Sequence, residues 1–326
     1  MITYKDLTAR ECAIRLTEIK DPAILIHVRP DGDAVGSAAA LAEIFRQLGT
    51  DAAIVSDDPI PERLQFITEK LSVSVENDTD RKAAVAIDVA SPTQLGSLTR
   101  YSPILMIDHH KVGERFADGY VAPDASSAAE ALLDVVYELM KMGKVSLTEP
   151  LAYALFAAIS SDTGCFAYSN ASAKTHRYAA SLIEVGIDAS DINHRLFTSK
   201  SKEQIKAEGY IASKIESCAG GRIAYATVTL CEIESLGLKK EHFETAIDVV
   251  RSLFGAEIAL VIKETESGKY KASLRSVGAN VANVAAKFGG GGHVRAAGCS
   301  PNAASIDGAR DLVLSELYRI YENEGN

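Results

Sequence analysis

Aspartates and histidines gather in four short segments of the first half of the chain. These are HVRPDGDAVGS with His27, Asp31 and Asp33, AIDVAS with Asp88, IDHH with Asp108, His109 and His110, and SDTGCF with Asp162. So many carboxylates placed together would repel one another and raise one another's pKa unless cations neutralised them. Carboxylates and imidazoles without thiolates suit Mn²⁺, Mg²⁺ or Fe²⁺ better than a structural zinc. Two such ions about 3.5–4 Å apart can cleave phosphoester bonds, and the pattern favours this chemistry.

Each segment taken alone has an ordinary structural explanation. PDG is typical of a turn, SDTG is typical of a helix cap, and adjacent histidines are often surface residues. Four such segments in chain order, each at the end of a predicted strand or helix, favour the metal site instead.

The elements that position these residues alternate along the first half of the chain. Buried strands are predicted at 23–28, 52–56, 83–89 and 103–108, and helices at 37–49, 126–141 and 151–160. This alternation predicts βαβ units and an α/β fold, with a parallel sheet that has helices on both faces. Ligands of such sheets bind beyond the carboxyl ends of the strands, where the acidic segments lie.

The pattern changes after a polar, helix-rich segment at 187–211. Alternating strands are predicted at 222–230, 256–264 and 269–276, with helices at 240–253 and 280–287. We therefore expect a metal-binding catalytic domain at 1–186, a helical linker at 187–211 and a smaller α/β domain with a mixed sheet at 212–326. The run GGGGHVRAAG of this last domain is poorly suited to a phosphate loop, because the segment after it is short and apolar. A substrate clamp is the better interpretation.

Length, charge and cysteine content exclude several classes of protein. The 326 residues suffice for two domains, and no apolar run approaches the roughly 20 residues that span a bilayer. Five scattered cysteines predict neither disulfides nor a zinc ribbon, and the first residues do not resemble a signal peptide, so we expect a cytoplasmic protein. A net charge of −10 argues against binding duplex nucleic acid. Residues 257–298 nevertheless hold six Lys or Arg against three Glu, which would suit a small anionic ligand.

In combination these motifs resemble the DHH phosphoesterase superfamily, in particular its RecJ-like branch with a DHH-associated C-terminal domain. The four acidic segments are similar to the four family motifs in chain order, although Val89 stands where a cysteine or threonine often follows the aspartate. SLRS (273–276) and GGGGHVRAAG (289–298) are similar to the marks of the C-terminal domain. The resemblance covers nearly the whole chain, and at this length it is to the bacterial oligoribonucleases that also act on 3′-phosphoadenosine 5′-phosphate.

The resemblance implies a role for each matching residue. One metal ion would be held by His27, Asp31 and Asp88, and a second by Asp33, Asp88, His109 and Asp162, with Asp88 bridging. His110 would contact the scissile phosphate or act as an acid, and Asp108 would orient neighbouring histidines. Substrate phosphate would be bound across a cleft by Arg275 and His293, beside the backbone of Gly289, Gly290, Gly291 and Gly292.

The expected reaction is hydrolysis of short single-stranded RNA to mononucleotides, or of 3′-phosphoadenosine 5′-phosphate to AMP, by water activated on two divalent ions. Mn²⁺ is the expected ion, with Mg²⁺ and Fe²⁺ as alternatives, and the resemblance implies a homodimer. Related proteins instead cleave cyclic di-AMP or its linear product pApA. Another branch hydrolyses inorganic pyrophosphate, but its C-terminal domain lacks GGGGH. A non-catalytic nucleotide sensor would be free to lose ligands that are intact here.

Overall fold

The computed structural model describes residues 3–322, and for His293, Tyr321 and Glu322 it describes the backbone alone. The chain forms two compact units, Met1–Ser199 and Lys200–Asn326. The division falls inside the predicted linker at 187–211. Ile187 and Ile192 of that segment are buried in the core of the first unit, whereas Ala207 and Ile211 are buried in the second. The domain boundaries and the role of the segment as a linker stay predictions.

The described part of the first unit contains six strands, seven α-helices and two helical segments of other types. The strands are β1 (Pro22–Leu25), β2 (Ala53–Val55), β3 (Val75–Glu76), β4 (Ala83–Ile87), β5 (Leu105–Asp108) and β6 (Gly119–Val121). The helices are α1 (Ala9–Glu18), α2 (Gly32–Gln47), α3 (Glu62–Leu71), α4 (Ala128–Lys141), α5 (Glu149–Asp162), α6 (Ala173–Ile183) and α7 (Ala189–Asn193). A 3₁₀ segment lies at Pro92–Arg100 and a π-helical turn at His194–Thr198.

The six strands form one parallel sheet in the order β3-β2-β1-β4-β5-β6. Successive residues of a strand point to opposite faces of the sheet and so pack into two different apolar layers. Ile24 and Val85 pack with the α-helices, whereas Leu25 and Ala86 pack with the 3₁₀ segment on the opposite face. The predicted parallel sheet between two helical layers is thereby confirmed, and the thinner layer is the 3₁₀ one. The strand order reverses between β1 and β4, which is where open sheets of this kind bind ligands.

Helix α2 begins at Gly32, so the predicted start at residue 37 was wrong. The carboxylate of Asp31 accepts hydrogen bonds from the backbone N–H groups of Asp33 and Ala34 and caps the helix. This cap satisfies donors that the first turn of a helix leaves unpaired. The PDG turn therefore leads directly into the helix, with Asp31 as the cap and Gly32 as the first helical residue.

The second unit contains a mixed sheet, as predicted. Its strands are β7 (Glu216–Cys218), β8 (Ile223–Val228), β9 (Ile258–Glu266), β10 (Lys269–Ser276), β11 (Gly291–His293) and β12 (Ala296–Cys299). They lie in the order β11-β12-β10-β9-β8-β7, and β8 and β9 are parallel whereas the other neighbours are antiparallel. Its helices are α8 (Lys202–Ser213), α9 (Leu230–Ser235), α10 (Ala246–Arg251), α11 (Val281–Ala286) and α12 (Ile306–Glu322).

The helix predicted at 240–253 is in fact divided. A 3₁₀ turn at Lys240–Phe243 precedes α10, and Thr245 between them is not helical. No helix within residues 3–322 combines the length and the apolar character needed to cross a bilayer. All five cysteines are free thiols.

Helices α2 and α5 approach closely because small residues line their contact. A Cβ added to Gly36 would lie 2.8 Å from both the carbonyl oxygen of Ala154 and the Cβ of Ala158. A Cβ on Gly32 would lie 2.2 Å from the hydroxyl of Ser161. Only glycine permits this approach. It brings the last turn of α5, with Asp162 as its final residue, to the first turn of α2.

We expect Gly36→Ala to lower the free energy of unfolding by about 1–3 kcal/mol, because the added methyl group overlaps atoms of α5. Gly209→Ala is the matched control, since Gly209 lies inside α8 and a Cβ built there has no neighbour within 4 Å. That change should stabilise the protein by about 0.5–1 kcal/mol. Denaturant unfolding followed by circular dichroism measures both. A destabilisation by Gly209→Ala equal to that by Gly36→Ala would contradict the packing explanation.

Candidate metal centre

Three adjacent parallel strands end at the candidate site. His27 lies two residues beyond β1, Asp88 directly follows β4, and Asp108 ends β5, with His109 and His110 next in the chain. The carboxyl ends of adjacent parallel strands meet at one edge of the sheet. The structure therefore brings these five side chains to the same place, as the motif positions predicted.

Two helix N-termini supply the support for Asp33. This carboxylate lies in the first turn of α2 and is almost fully buried. It accepts hydrogen bonds from the backbone N–H groups of Ala128 at 2.6 Å and Ala129 at 3.2 Å, at the start of α4, and from the hydroxyl of Ser37 at 2.8 Å. The positive ends of both helix dipoles thus face the carboxylate and stabilise its charge.

One cluster of potential ligands contains His27, Asp31 and Asp88. Nε2 of His27 lies 3.6 Å from Oδ2 of Asp88 and 3.8 Å from Oδ1 of Asp31. The other ring nitrogen of His27 lies 2.9 Å from the carbonyl oxygen of Val28, which orients the imidazole. One ligand atom from each of the three residues lies within 4.8 Å of the others.

A second cluster uses the other oxygen of the same aspartate. Nε2 of His109 lies 3.6 Å from Oδ1 of Asp88, 3.8 Å from Oδ2 of Asp33 and 3.9 Å from Oδ2 of Asp162. Asp88 therefore lies between the clusters, with one carboxylate oxygen toward each. The two clusters contain the six residues for which the family resemblance implied metal binding.

The donor atoms fit divalent cations. Separations of 3.6–3.9 Å are too long for hydrogen bonds, yet they converge from several sides. Oδ1 of Asp88 is buried without a hydrogen-bond partner among the described residues, and the residue as a whole is only 3% exposed. An unpartnered buried carboxylate oxygen is costly unless a cation binds it. Asp88 also has a left-handed φ of 57°, a strained conformation that is typical of functional sites.

The charges of the site show the same need for a cation. Burial raises the pKa of Asp33 well above its ordinary value, and the charges of Asp88, Asp162 and Asp31 raise it further. The pKa of Asp162 rises well above its usual range, through burial and then through the charges of Asp31 and Asp88. Burial lowers the pKa of His27, but Asp31 and Asp88 more than reverse this and raise it to about 11. A bound divalent ion would relieve this repulsion.

Asp108 forms a pair with His110. Nδ1 of His110 lies 2.7 Å from Oδ1 of Asp108, which is buried. Burial lowers the pKa of His110, but the hydrogen bond with Asp108 and the charges of Asp108, Asp88 and Asp162 together outweigh burial, and the net shift is upward. For Asp108, burial acts to raise the pKa. The hydrogen bond and the charge of His110 act in the opposite direction, and the net shift of the Asp108 pKa is downward. A histidine held in this way has a fixed ring orientation and keeps its proton readily.

Sequence reasoning missed the residues that support the ligands through the backbone. The carbonyl oxygen of Ala125 faces Nδ1 of His109 at 3.4 Å. The amide of Asn170 donates to the carbonyl oxygens of Ser126 and Asp162, both at 3.0 Å. Every residue has a backbone carbonyl group, so contacts to these groups leave no recognisable pattern of side-chain types in the sequence. The sequence SAAE at 127–130 does carry the Ser-x-x-Glu signal of a helix start, and it marks the loop that these contacts use.

In the second unit, Arg275 lies in β10. Its Nη1 donates to the carbonyl oxygen of Leu274, and its side chain is half-buried. Burial raises the pKa of Asp248, and the nearby positive charge of Arg275 partly opposes this rise.

The glycine run also has a structural role beside the expected approach of a nucleotide, which stays a prediction. Gly289 and Gly292 have φ values of 69° and 135°. A Cβ on Gly290 or Gly292 would lie within 2.4 Å of a carbonyl oxygen of β12. The hairpin of β11 and β12 therefore requires three of the glycines itself. Gly291 has open space around it, and the side chain of His293 lies outside the described part of the structure.

Comparison with known proteins agrees with the motifs. Residues 23–159 match the DHH family, N-terminal domain, and residues 220–318 match the DHHA1 domain. The bifunctional oligoribonuclease and PAP phosphatase NrnA of Thermus thermophilus is 30% identical over 90% of this chain and 88% of its own length. The protein of the same name from Bacillus subtilis is 29% identical over 93% and 96%. The cyclic-di-AMP phosphodiesterase PdeA of Listeria monocytogenes is 25% identical over 95% of this chain, which spans 49% of PdeA.

Solved structures share the fold. An exopolyphosphatase-related protein from Bacteroides fragilis has a TM-score of 0.84 at 21% identity and covers 95% of this chain and 96% of its own. RecJ of Thermus thermophilus in complex with Mn²⁺ has a TM-score of 0.55 at 16% identity, over 95% of this chain and 55% of RecJ. Two domain models matched in chain order, and a relative 30% identical across most of both chains, lead to one conclusion: the protein belongs to the DHH family and carries a DHHA1 domain.

Proposed function

We propose that this protein is a metal-dependent phosphoesterase that hydrolyses short oligoribonucleotides to mononucleotides and 3′-phosphoadenosine 5′-phosphate to AMP. The observation that carries the proposal is the pair of histidine and carboxylate clusters that share Asp88. Two relatives that match most of the chain are named for both activities. A cytoplasmic location and a homodimer belong to the same proposal.

Two divalent ions would be held by the six clustered residues. The first would bind to His27, Asp31 and Asp88, and the second to Asp33, Asp88, His109 and Asp162. Nitrogen and oxygen donors without thiolates favour Mn²⁺, with Mg²⁺ and Fe²⁺ as alternatives. When bound, such ions lower the pKa of water and neutralise charge on phosphoryl oxygens.

The protein's own residues would orient the substrate and supply a proton. His110, held by Asp108, donates to a phosphoryl oxygen or to the leaving oxygen. In the second unit, Arg275 binds substrate phosphate, because a guanidinium is always charged and presents several donors in one plane. His293 and the backbone of Gly289, Gly290, Gly291 and Gly292 complete the proposed phosphate contacts.

A second candidate function is hydrolysis of cyclic di-AMP or of linear pApA. The match with PdeA along 95% of this chain favours it. The same two-metal chemistry applies, so only the substrate preference separates the candidates.

We expect the purified protein with Mn²⁺ to degrade RNA dimers to pentamers far faster than RNAs of about 24 nucleotides, because short substrates need few phosphate contacts. A ladder of RNA lengths, 3′-phosphoadenosine 5′-phosphate, pApA and cyclic di-AMP should be compared in parallel, with chelated metal as the control. Preference for cyclic di-AMP over every linear substrate would favour the second function. Failure to cleave any of them would favour a nucleotide sensor.

Asp108→Asn should lower kcat by about 10–100-fold with little change in KM, because the neutral amide no longer supplies the charge that orients His110 and keeps it protonated. His110→Ala should lower kcat by about 10²–10⁴-fold. Since Asp108 acts through His110, the double variant should be no slower than His110→Ala. Steady-state kinetics of the parent, the two single variants and the double variant at saturating Mn²⁺ measures these effects. Asp124→Asn is the control, because Asp124 is exposed. Losses that multiply in the double variant would contradict the pairing.

Asp162→Asn should raise or leave unchanged the thermal midpoint of the metal-free protein, because it removes one of several mutually repelling carboxylates. The further rise in midpoint on adding Mn²⁺ should shrink, since a ligand is lost. Thermal unfolding with and without Mn²⁺ measures both effects, again beside Asp124→Asn. A rise in thermal midpoint on adding Mn²⁺ equal to that of the parent would contradict the proposal that Asp162 is a metal ligand.

A further inference from the structure

Glu130 is a fully buried carboxylate that the proposed chemistry does not use. It lies in the first turn of α4 and is 0% exposed. A glutamate three residues after a capping serine ordinarily hydrogen-bonds to the backbone N–H of that serine, here Ser127. Glu130 instead binds the preceding residue: its Oε2 accepts from the backbone N–H of Ser126 at 3.2 Å and from the Ser126 hydroxyl at 2.6 Å.

The same carboxylate is held from helix α6. The hydroxyl of Thr175 donates to Oε2 of Glu130 at 2.7 Å. Oε1 has no hydrogen-bond partner among the described residues, and the ammonium group of Lys174 lies 3.7 Å from it. Lys174 also donates to Asp134 at 2.8 Å. A buried charge that is only partly satisfied in this way is usually no better for stability than an apolar side chain of similar size. Stability alone therefore gives a poor account of Glu130.

The segment that Glu130 holds supports two of the proposed metal ligands. The carbonyl oxygen of Ala125, next to Ser126, faces Nδ1 of His109 at 3.4 Å. The carbonyl oxygen of Ser126 itself accepts from Asn170, which also donates to the carbonyl oxygen of Asp162. The backbone on the other side of Ser126 leads directly into the N–H groups of α4 that bind Asp33.

We propose that Glu130 is a positioning residue for the metal centre. By fixing the backbone at Ser126, it holds the carbonyl groups that orient His109 and, through Asn170, Asp162. The inference rests on the proposed metal site. Groups that orient metal ligands commonly change metal affinity by about 10–100-fold when they are lost, although they never touch the ion.

The test is the affinity of the purified full-length protein for Mn²⁺, measured as free Mn²⁺ by electron paramagnetic resonance. Glu130→Ala should weaken Mn²⁺ binding by about 10–100-fold. Glu130→Gln should recover most of the loss, because its amide oxygen can still accept from Ser126 and Thr175. Asp134→Asn is the matched control. Asp134 lies one turn further along α4 and binds Tyr120, Tyr178 and Lys174 but not the loop, so its variant should keep the parent affinity.

Asn170→Ala provides a second variant if Glu130→Ala does not fold, because Asn170 is exposed and its loss should also weaken Mn²⁺ binding. A folded Glu130→Ala protein with the parent Mn²⁺ affinity would overturn the inference. An equal loss in Asp134→Asn would also overturn it, since general loosening of α4 would then explain both. A parent protein that binds no Mn²⁺ at all would overturn the proposed metal site and this inference with it.

Discussion

The repulsion between four aspartates that lie close together, two of them buried, is the constraint on which the site depends. Asp31, Asp33, Asp88 and Asp162 come from three separate segments of the chain, and the pKa values of Asp33 and Asp162 rise where they meet. Hydrophobic burial of the surrounding sheet and helices must outweigh this cost. Helix N-termini at Asp33 and the positive charge of protonated His27 reduce it. The first unit can therefore be understood as a rigid frame that holds like charges together for a cation.

The rigidity comes from elements whose own packing leaves little freedom. Parallel strands fix where His27, Asp88 and Asp108 emerge, and the contact of α2 with α5 fixes Asp162. Around these side chains, backbone carbonyl groups and the buried Asp108 determine the orientation of the histidine rings. Side chains held in this way by packed elements would need little reorganisation to bind an ion.

The sequence predicted the parts of this arrangement that depend on side-chain type. Local patterns predicted the parallel sheet, the mixed second sheet and the strand ends that carry Asp or His. The structure confirms these predictions. The start of α2 was missed because a capping aspartate and a turn have the same local sequence. The role of Ser126 and Asn170 could not be predicted, since their contacts join backbone groups far apart in sequence. The close packing of the glycine run against β12 was not predicted, and its expected contact with a nucleotide stays a prediction.

The charge of the second unit bears on the length of the substrate. Six Lys or Arg lie in residues 257–298, but several have partners within the unit. Lys269 and Lys287 pair with Glu266 and Glu316, and Lys263 donates to the carbonyl oxygen of Phe243. Fewer cations than the composition indicates are thus available to neutralise phosphates. Affinity for single strands grows with the number of phosphates neutralised, so a chain of net charge −10 with few available cations gains little from a longer RNA. Selectivity for short substrates would then need no steric barrier, because phosphates beyond the first few would meet few available cations.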